Sequence, residues 1–211
     1  MKKTFASLAL LAVMGLGASL SLAINPAAAA PPVVMLDAQA SQLRADFNGA
    51  KGSVRLLFIV DPACSVCLRG LDDVNTAILA KVDDPRLETF VVHTSVIGAQ
   101  QEHVAPAAAL LPDDHVRHYW DASGNVGRAV SDSLQLRRGT DIVYAWDVWM
   151  IYDHEAVMDD AGVPVPALFM HQLPKLRDQA DKPFLDAEAF ATKAQTLLAA
   201  LPDADAERVE Q

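Results

Sequence analysis

The sequence predicts an α/β protein in which helices flank a mixed central β-sheet on both faces. Residues Val54–Val60 form an almost continuous apolar run with β-branched residues at both ends, which is typical of a strand buried on both faces. A helical spacing of apolar residues begins at Cys64, shortly after this strand. A second apolar strand is centred on Phe90–Val92, and a helical pattern covers Asp186–Leu201. This alternation of strands and helices indicates a sheet covered by helices.

Length and composition exclude several classes of protein. The 211 residues suffice for one domain with a hydrophobic core, and an apolar content of 52% excludes a disordered chain. The formal net charge of −10 makes nucleic acid an unfavourable partner, because an acidic surface repels phosphate groups. The two cysteines are too few for a cysteine-rich secreted scaffold or for a zinc site made of four cysteines from one chain.

The beginning of the sequence predicts export. Two lysines precede an almost wholly apolar stretch, Thr4–Ile24, and a run of alanines follows. This order is typical of a secretory signal peptide, with cleavage expected after Ala29. A membrane anchor is the alternative interpretation, although glycines and serines dilute the stretch. We expect a signal peptide over 1–29, one domain over 30–203 and a flexible tail over 204–211, in a periplasmic or otherwise exported protein without stable membrane insertion after cleavage.

The elements of the first half of the domain follow from apolar spacing and from residues that end helices. A helix is predicted over Asp37–Phe47, with Asp37 as its N-cap and Gly49 beyond its end. This helix is an addition before the first predicted strand, Val54–Val60. The helix that begins at Cys64 is expected to reach Val82, because Asp83-Asp84-Pro85 then ends it.

The second half contains shorter elements separated by turn residues. In order, the sequence predicts a strand within Leu87–Ile97, a partly helical segment Gln101–Leu111, a strand Val116–Trp120, a helix Val126–Leu136, a strand Ala145–Tyr152 with a hairpin partner at Ala156–Met158, a long loop Asp159–Lys182 and a terminal helix Asp186–Leu201.

The pair Cys64 and Cys67 is the clearest signal of chemistry. The N-terminus of a helix stabilises a thiolate through its free N–H groups and its dipole, so Cys64 is expected to be the reactive thiol and Cys67 the more buried one. Asp61 is expected to oppose the thiolate, because a nearby carboxylate raises the pKa of a thiol. A redox pair, a metal site and an inert disulfide are the three interpretations. The redox pair is favoured because so short a loop gains only about 2 kcal/mol from a disulfide.

At these residues the chain resembles the thioredoxin-like superfamily, and in particular its exported members. The resemblance covers Val54–Val60, the motif Asp61-Pro62-Ala63-Cys64-Ser65-Val66-Cys67 and the helix after it, and extends more weakly through Tyr119–Gly124, Ala145–Tyr152 and the terminal helix. It implies a thioredoxin-like fold and thiol–disulfide exchange with protein or small-molecule thiols, without a cofactor. In this chemistry Cys64 would attack and Cys67 would resolve the mixed disulfide.

The chain departs from the superfamily pattern at three places. Ala63 stands where a tryptophan often precedes the motif, and Phe58 lies where a buried carboxylate often serves proton transfer. The superfamily also has a cis-proline facing the disulfide, whereas the matching segment here, 143–147, contains no proline. Pro164 or Pro166 would take that part only if the predicted strands were misplaced.

A soft-metal site is the alternative function. Copper(I) favours thiolates, so a copper-binding or carrier protein could use Cys64 and Cys67 together with His93 or His171. The simpler interpretation of each histidine is a surface or hydrogen-bonded structural residue. A third alternative is an interaction module whose thiol chemistry has been lost.

Overall fold

The computed structural model describes residues 30–160 and 162–202. The predicted signal peptide, 1–29, and the predicted tail, 204–211, lie outside these residues. The strands and α-helices of the described part are, in order, β1 (Val33–Met35), α1 (Ser41–Gly49), β2 (Val54–Val60), α2 (Ser65–Val74), β3 (Leu87–Thr94), α3 (Val104–Ala108), β4 (Val116–Asp121), α4 (Asn125–Ser133), β5 (Arg137–Arg138), β6 (Asp141–Ile142), β7 (Asp147–Tyr152), β8 (Leu168–His171) and α5 (Ala187–Ala199). None of the helices described is both long and apolar enough to cross a membrane.

Six strands form one mixed sheet in the order β1-β4-β3-β2-β7-β8. The first four strands of this order are parallel to one another, while β7 runs antiparallel to β2 and β8 antiparallel to β7. All seven residues of β2 are buried, as their apolar character predicts. Because α2 connects two neighbouring parallel strands, its N-terminus lies at the carboxyl end of β2, where the cysteines are found.

Helices lie on both faces of the sheet, which confirms the predicted layers. On one face, α2 and α5 cover β2, and the rings of Phe58 and Phe190 lie 6.0 Å apart between centroids. On the other face, Leu57 packs in a second cluster with residues of α1 and α4. The Phe47 ring of α1 lies 5.6 Å from the Phe90 ring of β3. Side chains of alternate positions along each strand therefore enter separate halves of the core.

The N-terminal helical addition is confirmed, but it begins later than predicted. Ala40 has a left-handed backbone with a φ of 51°, so α1 starts at Ser41 rather than at Asp37. The Asp37 carboxylate accepts a hydrogen bond from the backbone N–H of Ser41, the first residue of α1, at 2.9 Å. Strand β1 was not predicted, because three residues are too few to show a periodic pattern.

The predicted helix to Val82 is shorter and not uniform. Helix α2 continues beyond Val74 as a π-helical segment, Asn75–Leu79, and the chain then turns. Apolar residues remain on the core side through this change, so the spacing alone did not reveal it.

The predicted long loop before the terminal helix is partly wrong. It contains β8, which is the hairpin partner of β7, whereas Ala156–Met158 lies outside the sheet. The latter segment is held elsewhere, because Asn48 exchanges hydrogen bonds of 2.8 and 2.9 Å with the backbone of Met158. The Arg55 guanidinium also donates to the Ala156 carbonyl at 2.8 Å. Neighbouring prolines concealed the four-residue strand from a prediction based on turn residues.

Candidate active site at Cys64 and Cys67

Cys64 is the N-cap of α2. The turn after β2 brings its backbone N–H to the Asp61 carbonyl at 2.9 Å. The Cys64 sulfur accepts a hydrogen bond from the Cys67 backbone N–H at 3.2 Å, in the way that an oxygen caps other helices. The predicted position of the motif, between a buried strand and a helix, is therefore confirmed.

The two thiols differ in access to solvent. Both are free; Cys64 is 7% exposed, whereas Cys67 is fully buried. The Cys67 thiol lies 3.4 Å from the Trp146 carbonyl oxygen, to which it donates a hydrogen bond. Of the two residues, only Cys64 therefore retains any exposed surface, and Cys67 is the more buried one, as the sequence predicts.

The surroundings separate the pKa values of the two thiols. The interaction of Cys64 with the Cys67 thiol, helped by backbone N–H groups at the helix start, lowers the pKa of Cys64 to about 7, while burial and the Asp147 charge oppose this shift. Burial is the main cause that raises the pKa of Cys67 far above its usual range, and the interaction with Cys64 and the charge of Asp147 add to it. Cys64 is therefore the thiol that ionises near neutral pH.

Asp147 is the residue of this candidate site that the sequence did not identify. It is the first residue of β7 and pairs with Val60 across the antiparallel ladder. One carboxylate oxygen of Asp147 and the sulfurs of Cys64 and Cys67 all lie within 4.8 Å of one another. Burial raises the pKa of the Asp147 carboxyl to about 6, although the Trp149 indole N–H and the neighbouring Cys67 thiol act in the opposite direction. Strand β7 thus supplies a buried carboxylate, whereas Phe58 occupies the position on β2 where the superfamily often has one.

A hydrogen bond fixes the orientation of this carboxylate. Oδ1 of Asp147 accepts the Trp149 indole N–H at 2.9 Å. Its Oδ2 is buried and has no hydrogen-bond partner among the described residues. The sequence signal for this site was an aspartate within an otherwise apolar strand, on the same side as Trp149.

Asp61 has a structural role instead of the predicted opposition to the thiolate. Its two carboxylate oxygens accept the backbone N–H groups of Ala63, at 2.9 Å, and of Ile97, at 2.7 Å. This clamp holds the loop after β3 against the turn before the cysteines. The carboxylate that opposes ionisation of Cys64 is Asp147.

The segment in place of the cis-proline is built around Trp146. No peptide bond within 30–160 and 162–202 is cis. The Trp146 carbonyl accepts the Asp61 backbone N–H at 3.1 Å and the Cys67 thiol. Pro164 and Pro166 precede β8 and belong to neither of these contacts. The segment before β7 therefore reaches the cysteines without a proline.

The predicted alternative metal ligands His93 and His171 do not join the cysteine cluster. Nδ1 of His171 accepts the Leu173 backbone N–H at 3.0 Å, and its Nε2 lies 3.1 Å from the Lys182 carbonyl. His93 is buried against His118, with Nε2 of His93 3.2 Å from Nδ1 of His118. Hydrogen bonds within the fold thus orient both rings, and Asp147 takes the third position beside the sulfurs.

Close packing fixes α2 above this site. A Cβ at Gly70 would lie 2.5 Å from the Trp149 ring and 2.6 Å from the Gln172 side-chain oxygen. The absence of a side chain at Gly70 therefore lets α2 approach the indole that holds Asp147.

Comparisons with known proteins give structural neighbours only. No family model matches the sequence, and no curated protein matches it significantly. The structure is similar to a secreted Mycobacterium tuberculosis disulfide oxidoreductase homologous to E. coli DsbE, with 11% identity, coverage of 71% of this chain and 85% of that chain, and a TM-score of 0.44. A putative protein disulfide isomerase from Bacteroides thetaiotaomicron gives 13% identity, coverage of 77% and 82%, and a TM-score of 0.43. The exposed lipoprotein thioredoxin of Streptococcus pneumoniae has 15% identity, with coverage of 71% of this chain and 88% of that chain, and a TM-score of 0.41.

The superpositions are loose, so the fold assignment rests on the topology. The parallel unit β2–α2–β3, the antiparallel strands β7 and β8, and helices on both faces form the mixed, helix-flanked sheet that the sequence predicts for a thioredoxin-like fold. The two cysteines lie at the start of α2, beyond the central strand. The chain therefore has a thioredoxin-like fold with a Cys64-x-x-Cys67 motif.

Proposed function

We propose that this chain is an exported thiol–disulfide oxidoreductase in which Cys64 is the attacking thiol and Cys67 the resolving thiol. One observation carries the proposal: the Cys64 sulfur caps α2 in a residue that is 7% exposed, while Cys67 is fully buried one turn behind it. An inert disulfide requires no such difference in access. The predicted signal peptide supports the exported location.

The exchange would proceed in two steps. The Cys64 thiolate attacks one sulfur of a partner disulfide, so that a mixed disulfide forms and the other partner sulfur leaves as a thiolate. The Cys67 thiolate then attacks the Cys64 sulfur and releases the second partner thiolate. The partner gains two electrons and this chain becomes the disulfide; the reverse sequence oxidises a partner dithiol.

Asp147 would receive the proton of Cys67 during the second step. The buried Cys67 thiol must lose a proton before it attacks, and the Asp147 carboxylate has one oxygen within 4.8 Å of both sulfurs. Oδ2 of this carboxylate has no hydrogen-bond partner among the described residues. A positioned general base typically accelerates such a step by about 100-fold or more. This role replaces the carboxylate that is absent at Phe58.

Trapping of partners tests the proposal. Cys67→Ser should accumulate mixed disulfides with partner thiols, because the resolving sulfur is gone, while Cys64→Ser should trap few. In the metal-free reduced protein, alkylation of Cys64 should have a midpoint near pH 7, against about 8.5 for an ordinary cysteine. A Cys64 that titrates as a free thiol, together with no trapped partner in Cys67→Ser, would favour a structural disulfide.

A further inference from the structure

Three side chains that converge at the start of α2 also form a set of possible metal ligands. The sulfurs of Cys64 and Cys67 and one carboxylate oxygen of Asp147 lie within 4.8 Å of one another. Among the described residues these form the single such group of His, Cys, Asp or Glu ligands. The buried Oδ2 of Asp147 also lacks a hydrogen-bond partner within 30–160 and 162–202. A buried carboxylate oxygen without a donor is the group that a cation would satisfy.

The separations fit a tetrahedral metal after a small contraction. Zinc binds thiolate sulfur at about 2.3 Å and carboxylate oxygen at about 2.0–2.2 Å. Ligands on a tetrahedron with these bond lengths lie about 3.5–3.8 Å apart. Contraction from at most 4.8 Å requires side-chain movements of about 1 Å or less, which rotation about the cysteine and aspartate side-chain bonds can supply.

The donor set selects the kind of metal. Copper(I) prefers sulfur ligands, whereas two thiolates and one carboxylate suit the borderline character of zinc. His93 and His171, the ligands that would have favoured copper, do not belong to the cluster. Three protein ligands leave the fourth zinc position to water or to an added ligand.

We propose that the reduced chain binds one Zn²⁺ through Cys64, Cys67 and Asp147. Binding requires both sulfurs as thiolates, so it releases the Cys67 proton and any proton that Cys64 still carries, and it forms two Zn–S bonds with no change of oxidation state. The disulfide form lacks both thiolates and cannot make this site. Because the metal occupies the attacking sulfur, zinc and a partner disulfide compete for the same residue.

Metal binding can be measured without an assay of activity. The chelator-treated, reduced protein is titrated at neutral pH with Co²⁺, whose thiolate charge-transfer absorption reports sulfur ligation. Zn²⁺ affinity is then measured by competition with a chromophoric chelator. We expect one metal per reduced chain, none in the disulfide form, and at least about tenfold slower alkylation of Cys64 when one equivalent of Zn²⁺ is present.

A matched pair of variants tests the third ligand. Asp147→Asn retains the shape and an oxygen acceptor for Trp149 but removes the charge, and it should weaken Zn²⁺ binding at least about tenfold. Asp72→Asn removes a charge from the exposed face of α2 and should leave binding unchanged. Circular dichroism confirms that each variant is folded. Cadmium NMR of the wild type distinguishes two sulfur ligands plus oxygen from other donor sets and requires no variant.

The outcomes separate this site from the proposed redox function. Absence of stoichiometric binding by the reduced wild type, or wild-type affinity in folded Asp147→Asn, would overturn the zinc site. A cadmium shift that indicates nitrogen ligands would also overturn it. Disulfide exchange measured with a chelator present tests the redox function independently, because that reaction uses the metal-free protein.

Discussion

Trp149 donates its indole N–H to Oδ1 of Asp147 at 2.9 Å, while Oδ2 of the same carboxylate has no hydrogen-bond partner in the described part of the chain. One oxygen of this carboxylate lies within 4.8 Å of both cysteine sulfurs. Both residues lie on β7, two positions apart, so their side chains share one side of the sheet. The indole ring packs against Phe58, with 4.9 Å between ring centroids. A rigid aromatic residue therefore fixes the direction in which the buried carboxylate can act.

Loss of this hydrogen bond should change the ionisation of Asp147. Trp149→Phe retains an aromatic ring but removes the N–H donor that stabilises the carboxylate. We expect the pKa of Asp147, which is about 6 in the wild type, to rise further in the variant. Carboxyl-carbon NMR of the metal-free reduced protein measures both values. Equal midpoints in the two proteins would show that the indole does not control this carboxylate.

A methyl group at position 70 should disturb the contact between α2 and β7. The Cβ of Gly70→Ala would lie 2.5 Å from the Trp149 ring, so we expect the free energy of unfolding to fall by about 1–3 kcal/mol. Gly49→Ala is the matched control, because nothing lies within 4 Å of a Cβ at that position. Urea denaturation of both variants measures the difference. Equal stabilities would argue against tight packing at Gly70.

The buried histidine pair should make stability depend on pH. Burial, with a smaller contribution from the neighbouring His118, lowers the pKa of His93 to about 3. Burial also lowers the pKa of His118. A histidine whose pKa is lower in the folded state contributes its full stability above the unfolded pKa, about 6.5, and loses it as the pH falls towards the folded value. Within that interval, each such histidine lowers the free energy of unfolding by up to about 1.4 kcal/mol for every unit by which the pH falls.

A variant isolates this effect from other titrating groups. Asp147, whose pKa is raised, has the opposite dependence, because its protonated form is favoured in the folded state. The difference in unfolding free energy between wild type and His93→Phe removes the Asp147 contribution. We expect that difference to become less favourable to the wild type as the pH falls from 6.5 to 4. A constant difference would contradict the burial of a neutral His93.

The exported protein should lack its first residues. The apolar stretch and the alanines before Pro31 predict cleavage after Ala29, so the mature chain should begin at Ala30. Intact-mass measurement of the protein from the periplasmic fraction determines the N-terminus. Recovery of the full-length chain in the membrane fraction would support the anchor interpretation instead.

The sequence by itself determined the central strand and the position of the cysteine motif, because both are specified by patterns of residues that are close together in the sequence. An uninterrupted apolar run identified Val54–Val60 as a buried strand, and helical spacing placed Cys64 at the start of a helix. Short elements such as β1 and β8 escaped notice, because three or four residues carry too little periodic signal against nearby prolines.

Only the tertiary structure decided what surrounds the sulfurs. Asp147 is 80 residues after Cys67 in the sequence, and it reaches the site because β7 pairs antiparallel with β2 in the register Val60↔Asp147. A shift of that register by one residue would turn the carboxylate to the opposite face of the sheet. The β7–β8 pairing places His171 opposite Val148, where its ring makes its own hydrogen bonds and does not join the sulfurs. Side-chain chemistry was visible in the sequence, but its convergence depends on strand order and register, which no local pattern specifies.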